Sequence, residues 1–80
     1  MRGLSKKDFE SANVIIRKRL GMDCEIVDGC LTTNESGGKI YHIAVNNMDT
    51  VNDSNLEKVG EIVKENLNAI EVYCFGLRLA

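Results

Sequence analysis

The sequence predicts a compact α+β sandwich: one domain over residues 1–80, elements in the order α-β-β-α-β, and two helices on one face of a three-stranded sheet. Two observations carry this. Two segments repeat apolar residues at helical spacing behind a capping serine. Three others are rich in β-branched and aromatic residues, and a turn-like cluster separates the first two.

The first helix is predicted over Lys6 to Leu20. Ser5 opens "SKKD", a capping box with aspartate in the acid position. Phe9, Ala12, Ile16 and Leu20 form the buried stripe, with Ile15 at its edge. Gly21 ends the helix, and Arg17, Lys18 and Arg19 complement the dipole of its last turn. "MDCEIVDGCLTT" follows as a strand. Met22, Cys24 and Ile26 alternate with Asp23 and Glu25, and Gly29 is read as a bulge. "NESGG" is the turn and "KIYHIAVNN" the returning strand. Asp49 and Asp53 alternate in the next loop, but Val51 holds the middle position and no glycine follows, which excludes an EF-hand.

The second helix is predicted to open at Ser54, whose "SNLE" forms a capping box with Glu57. Leu56, Val59, Val63 and Leu67 repeat the first stripe. Gly60 lies beside it and implies close approach of the other helix or of the sheet. The segment "AIEVYCFGLRLA" reads as the last strand, with Ile70, Val72 and Cys74 on one side and Tyr73, Phe75, Leu77 and Leu79 on the other. It pairs either parallel with the second strand or antiparallel with the first.

Composition narrows the function classes. Net charge is -2 and charged residues are 28%, neither the basic balance of a typical nucleic-acid binder nor an acidic tail. No apolar run reaches a membrane span's length and the start lacks an export signal, so a soluble cytoplasmic protein is expected. Three cysteines without CxxC spacing argue against a disulfide framework.

Chemistry is sparse. If residues 34–38 form the turn, Thr33 faces Lys39, Leu31 faces Tyr41, and Cys30 faces His42, the only histidine. A thiol beside an imidazole is the arrangement of cysteine nucleophiles. A one-residue slip or a bulge at Gly29 separates the pair. Adding Cys24 and Cys74 gives four potential zinc ligands, but without the close pairs of structural sites. Ordinary packing is the preferred reading, with no catalytic residue, metal or cofactor expected.

The surplus of apolar residues on the strands is more informative. Neither face of the second or last strand looks suited to solvent. That predicts a protein-binding surface, for a partner or a second copy, built from Tyr41, Ile43, Tyr73, Phe75, Leu77 and Leu79. The expected function is a small non-enzymatic binding module that inhibits or regulates a larger protein. Inhibitors carried by phages and mobile elements, anti-CRISPR proteins included, share this size and class, an analogy that no motif here carries. The alternative is a nucleic-acid-associated regulator that contacts phosphates through Lys7, Arg17 and Lys18 of the first helix.

Overall fold

A computed structural model describes residues 2–21, 24–46 and 51–80. Its elements are β1 (Arg2–Gly3), α1 (Lys6–Leu20), β2 (Ile26–Thr33), β3 (Lys39–Val45), α2 (Asp53–Asn66), β4 (Ala69–Cys74) and β5 (Leu77–Arg78). The fold is α+β, with two helices and one five-stranded mixed sheet in the order β1-β2-β3-β4-β5. Only the β3–β4 pair is parallel, so the last long strand joins the second arm of the hairpin. The two short strands β1 and β5 are the ones the sequence reading lacked. Two residues are too few to show a period. Met22, Asp23 and residues 47–50, which include Asp49, lie outside the described residues.

Helix α1 begins and ends where its caps predict. The Ser5 backbone N–H donates to Asp8 Oδ2 at 2.8 Å. That bond is the main reason the Asp8 carboxyl titrates below its usual range. Gly21 takes φ 89° and its N–H reaches the Arg17 carbonyl. Helix α2 starts earlier than expected. Its N-cap is Asn52, whose side chain accepts from the Asn55 N–H at 2.8 Å, and Ser54 lies inside the first turn. Asparagine is at least as good a cap as serine, and it leaves Asp53 in the first turn, where the dipole favours it.

One cluster forms the core. Phe9, Ala12 and Ile16 of α1 and Leu56, Val59, Ile62 and Val63 of α2 pack with Ile26, Tyr41, Ile43, Val45, Val72 and Cys74 of the sheet. Alternate strand residues enter this cluster, so one sheet face is covered and the other is open.

The hairpin register is as the turn implied, with Thr33 opposite Lys39, Leu31 opposite Tyr41 and Cys30 opposite His42. Asn34 fixes it. Its Oδ1 accepts from the N–H groups of Ser36 and Gly38, and its own N–H donates to the Gly38 carbonyl. The irregularity falls between Ile26 and Asp28 rather than at Gly29. Gly29 stays in register opposite Ile43 and serves instead as a seat for the Phe9 ring. Gly60 does mark a close approach, but to Leu79: a Cβ there would lie 2.4 Å from that of Leu79.

Candidate functional site

The expected last strand is interrupted. Cys74 pairs with Leu77, and between them Phe75 and Gly76 take φ 50° and 81°. Two successive positive φ values closing a two-residue loop make a type I′ turn, whose twist suits a hairpin. The alternation of apolar residues therefore breaks at Phe75, and the six residues proposed as one surface are dispersed. Tyr41 and Ile43 belong to the core, 7% and 3% exposed, because their side of β3 is the covered one. Tyr73 lies on the open face. Leu79 packs against the core beside Gly60. Of the six, Phe75 and Leu77 are the exposed ones, at 74% and 59%; Val14, Val27 and Ile70, outside the expected surface, are exposed as well, at 42%, 52% and 41%.

The open face is more polar than the strand sequences implied. A row crosses all five strands in register: Gly3, Cys30, His42, Tyr73 and Arg78. Beside it Thr32, Ile40 and Glu71 form a second row. The His42 ring stacks on Tyr73, with centroids 5.4 Å apart and planes inclined by 17°. The Tyr73 hydroxyl donates to Glu71 Oε1 at 3.3 Å, and Arg78 Nη1 lies 3.3 Å from the same oxygen. Ile40 and Ala44 are the apolar members on β3, both half-buried. An alternating strand places half its side chains here, and on β3 that half includes the histidine.

Cys30 and His42 are thus neighbours, as the register predicts, on the open face of the sheet. The contact recorded for His42 Nε2 is the Thr32 hydroxyl at 3.5 Å, and one face of the ring is occupied by Tyr73. Activation of a thiol needs a ring nitrogen within hydrogen-bond reach of it. Cys24 and Cys74 are buried among the core residues, on the other side of the sheet from Cys30. Burial pushes the Cys74 thiol above its ordinary range, with a backbone hydrogen bond at Val45 as a smaller opposing influence. Among the described residues no group of three or more histidine, cysteine or acidic side chains is placed to hold a metal ion. A direct check is alkylation with iodoacetamide under native conditions. Cys30 is expected to react first, at about the rate of an unactivated thiol, with Cys24 and Cys74 labelled only as the chain opens. A Cys30 rate about tenfold above free cysteine would restore the activated pair.

The basic residues of α1 are divided as well. Lys7 and Lys18 are exposed, whereas Arg17 Nε lies 2.9 Å from Glu25 Oε1. The cleft along this side of α1 is lined by Lys6, Lys7, Glu10, Asn13, Arg17 and Glu25, a mixture of both signs. Among the described residues no helix is long and apolar enough to cross a membrane.

Sequence reasoning missed the hairpin tip as a distinct feature. "CFGL" carried the one available signal, a glycine after an aromatic residue, but phenylalanine itself favours strands. Comparison with family models, with curated proteins and with solved structures finds no match to this chain.

Proposed function

We propose that this chain is a small non-enzymatic protein-binding module whose anchor is the β4–β5 hairpin tip. The observation that carries it is Phe75. A bulky side chain at positive φ costs about 1–2 kcal/mol, and asparagine or glycine would hold the same turn with less strain. Phe75 incurs that cost and is then left 74% exposed. A strained residue that contributes so little burial to its own fold is a candidate for a role outside it. Aromatic anchors that enter a pocket on a partner carry much of the energy of small interfaces. Leu77, two residues on, extends the same apolar surface along the sheet edge.

Such a module acts by occupying a surface of a larger protein, as the small inhibitors carried by phages and mobile elements do. The phosphate-binding alternative has less in its favour, because Arg17 is already paired with Glu25. Edge-to-edge association of two copies is disfavoured too, since β1 and β5 have two residues each and very short edge strands limit such pairing.

The test uses Phe75→Asn. This substitution is expected to stabilise the isolated domain by about 1 kcal/mol, raising Tm by roughly 4–8 °C. The same variant, used as bait in the native host beside the wild-type chain, should lose the specific partner by more than about tenfold, as expected for a hot spot. A partner retained undiminished by Phe75→Asn would overturn the reading. A variant that is less stable than wild type would show instead that Phe75 supports the fold.

A further inference from the structure

The surface beside the anchor defines the chemistry of what it meets. A groove of about 230 Å³ runs between the start of α2 and β5, lined by Asp53, Leu56, Glu57, Leu77, Arg78 and Leu79. We infer that this groove receives a basic side chain, arginine or lysine, of the protein partner. The inference rests on the binding-module reading and adds the partner's chemistry to it.

Three leucines give the groove apolar walls: Leu56 is buried, Leu79 half-buried and Leu77 open to solvent. Asp53 and Glu57, both exposed, stand one helical turn apart on the same side of α2. Like charges at this spacing repel by a few tenths of a kcal/mol, which offsets part of what Asp53 gains from the helix dipole. The helix N-terminus adds about half a positive charge, which two full carboxylates outweigh. The one cation among the lining residues is engaged elsewhere. The Arg78 guanidinium reaches Glu71 at 3.3 Å, and its Nε donates to the Ala80 carbonyl at 3.3 Å. The groove is thus apolar in its walls and negative at its rim.

Lysine and arginine match both parts. Their methylene stems lie on apolar surface while the charged head stays at the rim, still partly hydrated. Arginine has the further advantage of a planar fork that can address two carboxylates. A partner with a cation next to an apolar pocket would take Phe75 in the pocket and place the cation between Asp53 and Glu57. Such complementarity sets orientation and the rate of encounter more than raw affinity.

The probes are the capped tripeptides Ac-Leu-Arg-Leu-NH2, Ac-Leu-Gln-Leu-NH2 and Ac-Leu-Glu-Leu-NH2, titrated into the ¹⁵N-labelled chain and followed by amide chemical shifts. The arginine peptide is expected to give saturable shifts at Asp53, Leu56, Glu57 and Leu77. The glutamine peptide should bind at least about fivefold more weakly, and the glutamate peptide not measurably. Asp53→Asn combined with Glu57→Gln should weaken the arginine peptide by a similar factor, with amide dispersion showing that the variant remains folded. Equal binding of the glutamine peptide, indifference to the double variant, or no saturable shift would each overturn the inference. Phe75 does not line the groove, so Phe75→Asn should leave peptide binding unchanged. Failure here is therefore separable from failure of the anchor, which is read by stability and by partner capture.

Discussion

Replacing Asn13 by leucine is expected to destabilise the domain by about 2–6 kcal/mol. Asn13 is the one buried polar residue in the described core, 8% exposed on the sheet-facing side of α1. Its Oδ1 accepts from the Ile26 N–H at 2.8 Å, and its Nδ2 donates to the Ile26 carbonyl at 3.0 Å. The amide thus acts as one residue of an absent strand. The need for it follows from the sheet. β1 covers β2 only at Leu31 and Cys30, and the Leu4 N–H extends the pairing to the Gly29 carbonyl. Beyond that point the outer backbone groups of β2 have no strand beside them among the described residues, and at Ile26 they lie beneath α1, where the Asn13 amide meets them. Leucine has nearly the same shape and neither hydrogen-bonding group. It would strand one donor and one acceptor, at about 1–3 kcal/mol each. Against the roughly 5–15 kcal/mol total of a small domain, that is a large fraction. Urea denaturation gives the number directly. Ser11→Ala is the control, because the Ser11 Oγ bond to Asn66 Oδ1 is exposed and should cost less than about 1 kcal/mol. Equal losses for the two substitutions would remove the clamp from the account of stability.

Most of the architecture was legible because it rests on short-range chemistry. The extent of α1 follows from Ser5, Gly21 and a 3.6-residue period, and the hairpin register follows from one asparagine in "NESGG". What escaped the sequence depends on contacts distant along the chain. Asn13 lies beside the apolar stripe of α1, where a polar residue ordinarily marks the edge toward solvent. The helix period turns it inward between Phe9 and Ile16, and the shortness of β1 leaves the Ile26 backbone groups for it to meet. The break at Phe75 escaped for another reason: local propensity favours a strand there, and the structure contradicts it with a positive φ. Conflict between local preference and final conformation is expected where a residue serves something other than stability. A separate ambiguity put Tyr41 and Ile43 on the expected binding surface, though both are buried. An apolar residue on each side of β3 does not reveal which side the helices cover.

Gly29→Ala tests the seat of the Phe9 ring, and an expected loss of about 3 kcal/mol places it beside Asn13. In a strand, glycine is normally worse than alanine by roughly 0.5–1 kcal/mol, so the change would stabilise an unobstructed position. This one is obstructed on two sides. A Cβ at Gly29 would lie 2.7 Å from the His42 carbonyl oxygen and 2.7 Å from Phe9 Cζ. The first obstacle is backbone of the paired strand and cannot rotate away. The second is the ring of a side chain only 1% exposed, held on every side by core packing. Relief of both therefore requires that α1 lift from the sheet and that β2 part from β3. Shortening the ring should recover part of the loss. Phe9→Leu costs core volume alone, but combined with Gly29→Ala it removes one of the two clashes, so the double variant should be more stable than the sum of singles by about 1 kcal/mol or more. Complete recovery is not expected, because the His42 carbonyl remains. A Gly29→Ala variant as stable as wild type would show that Phe9 has another place to go. The same glycine also matters to the open face. Next to it along β2, Cys30 stands opposite His42, and in-register pairing of Gly29 with Ile43 keeps that row aligned across the sheet. Parting β2 from β3 would therefore disturb the His42 environment as well, giving a second readout in the His42 and Tyr73 ring resonances.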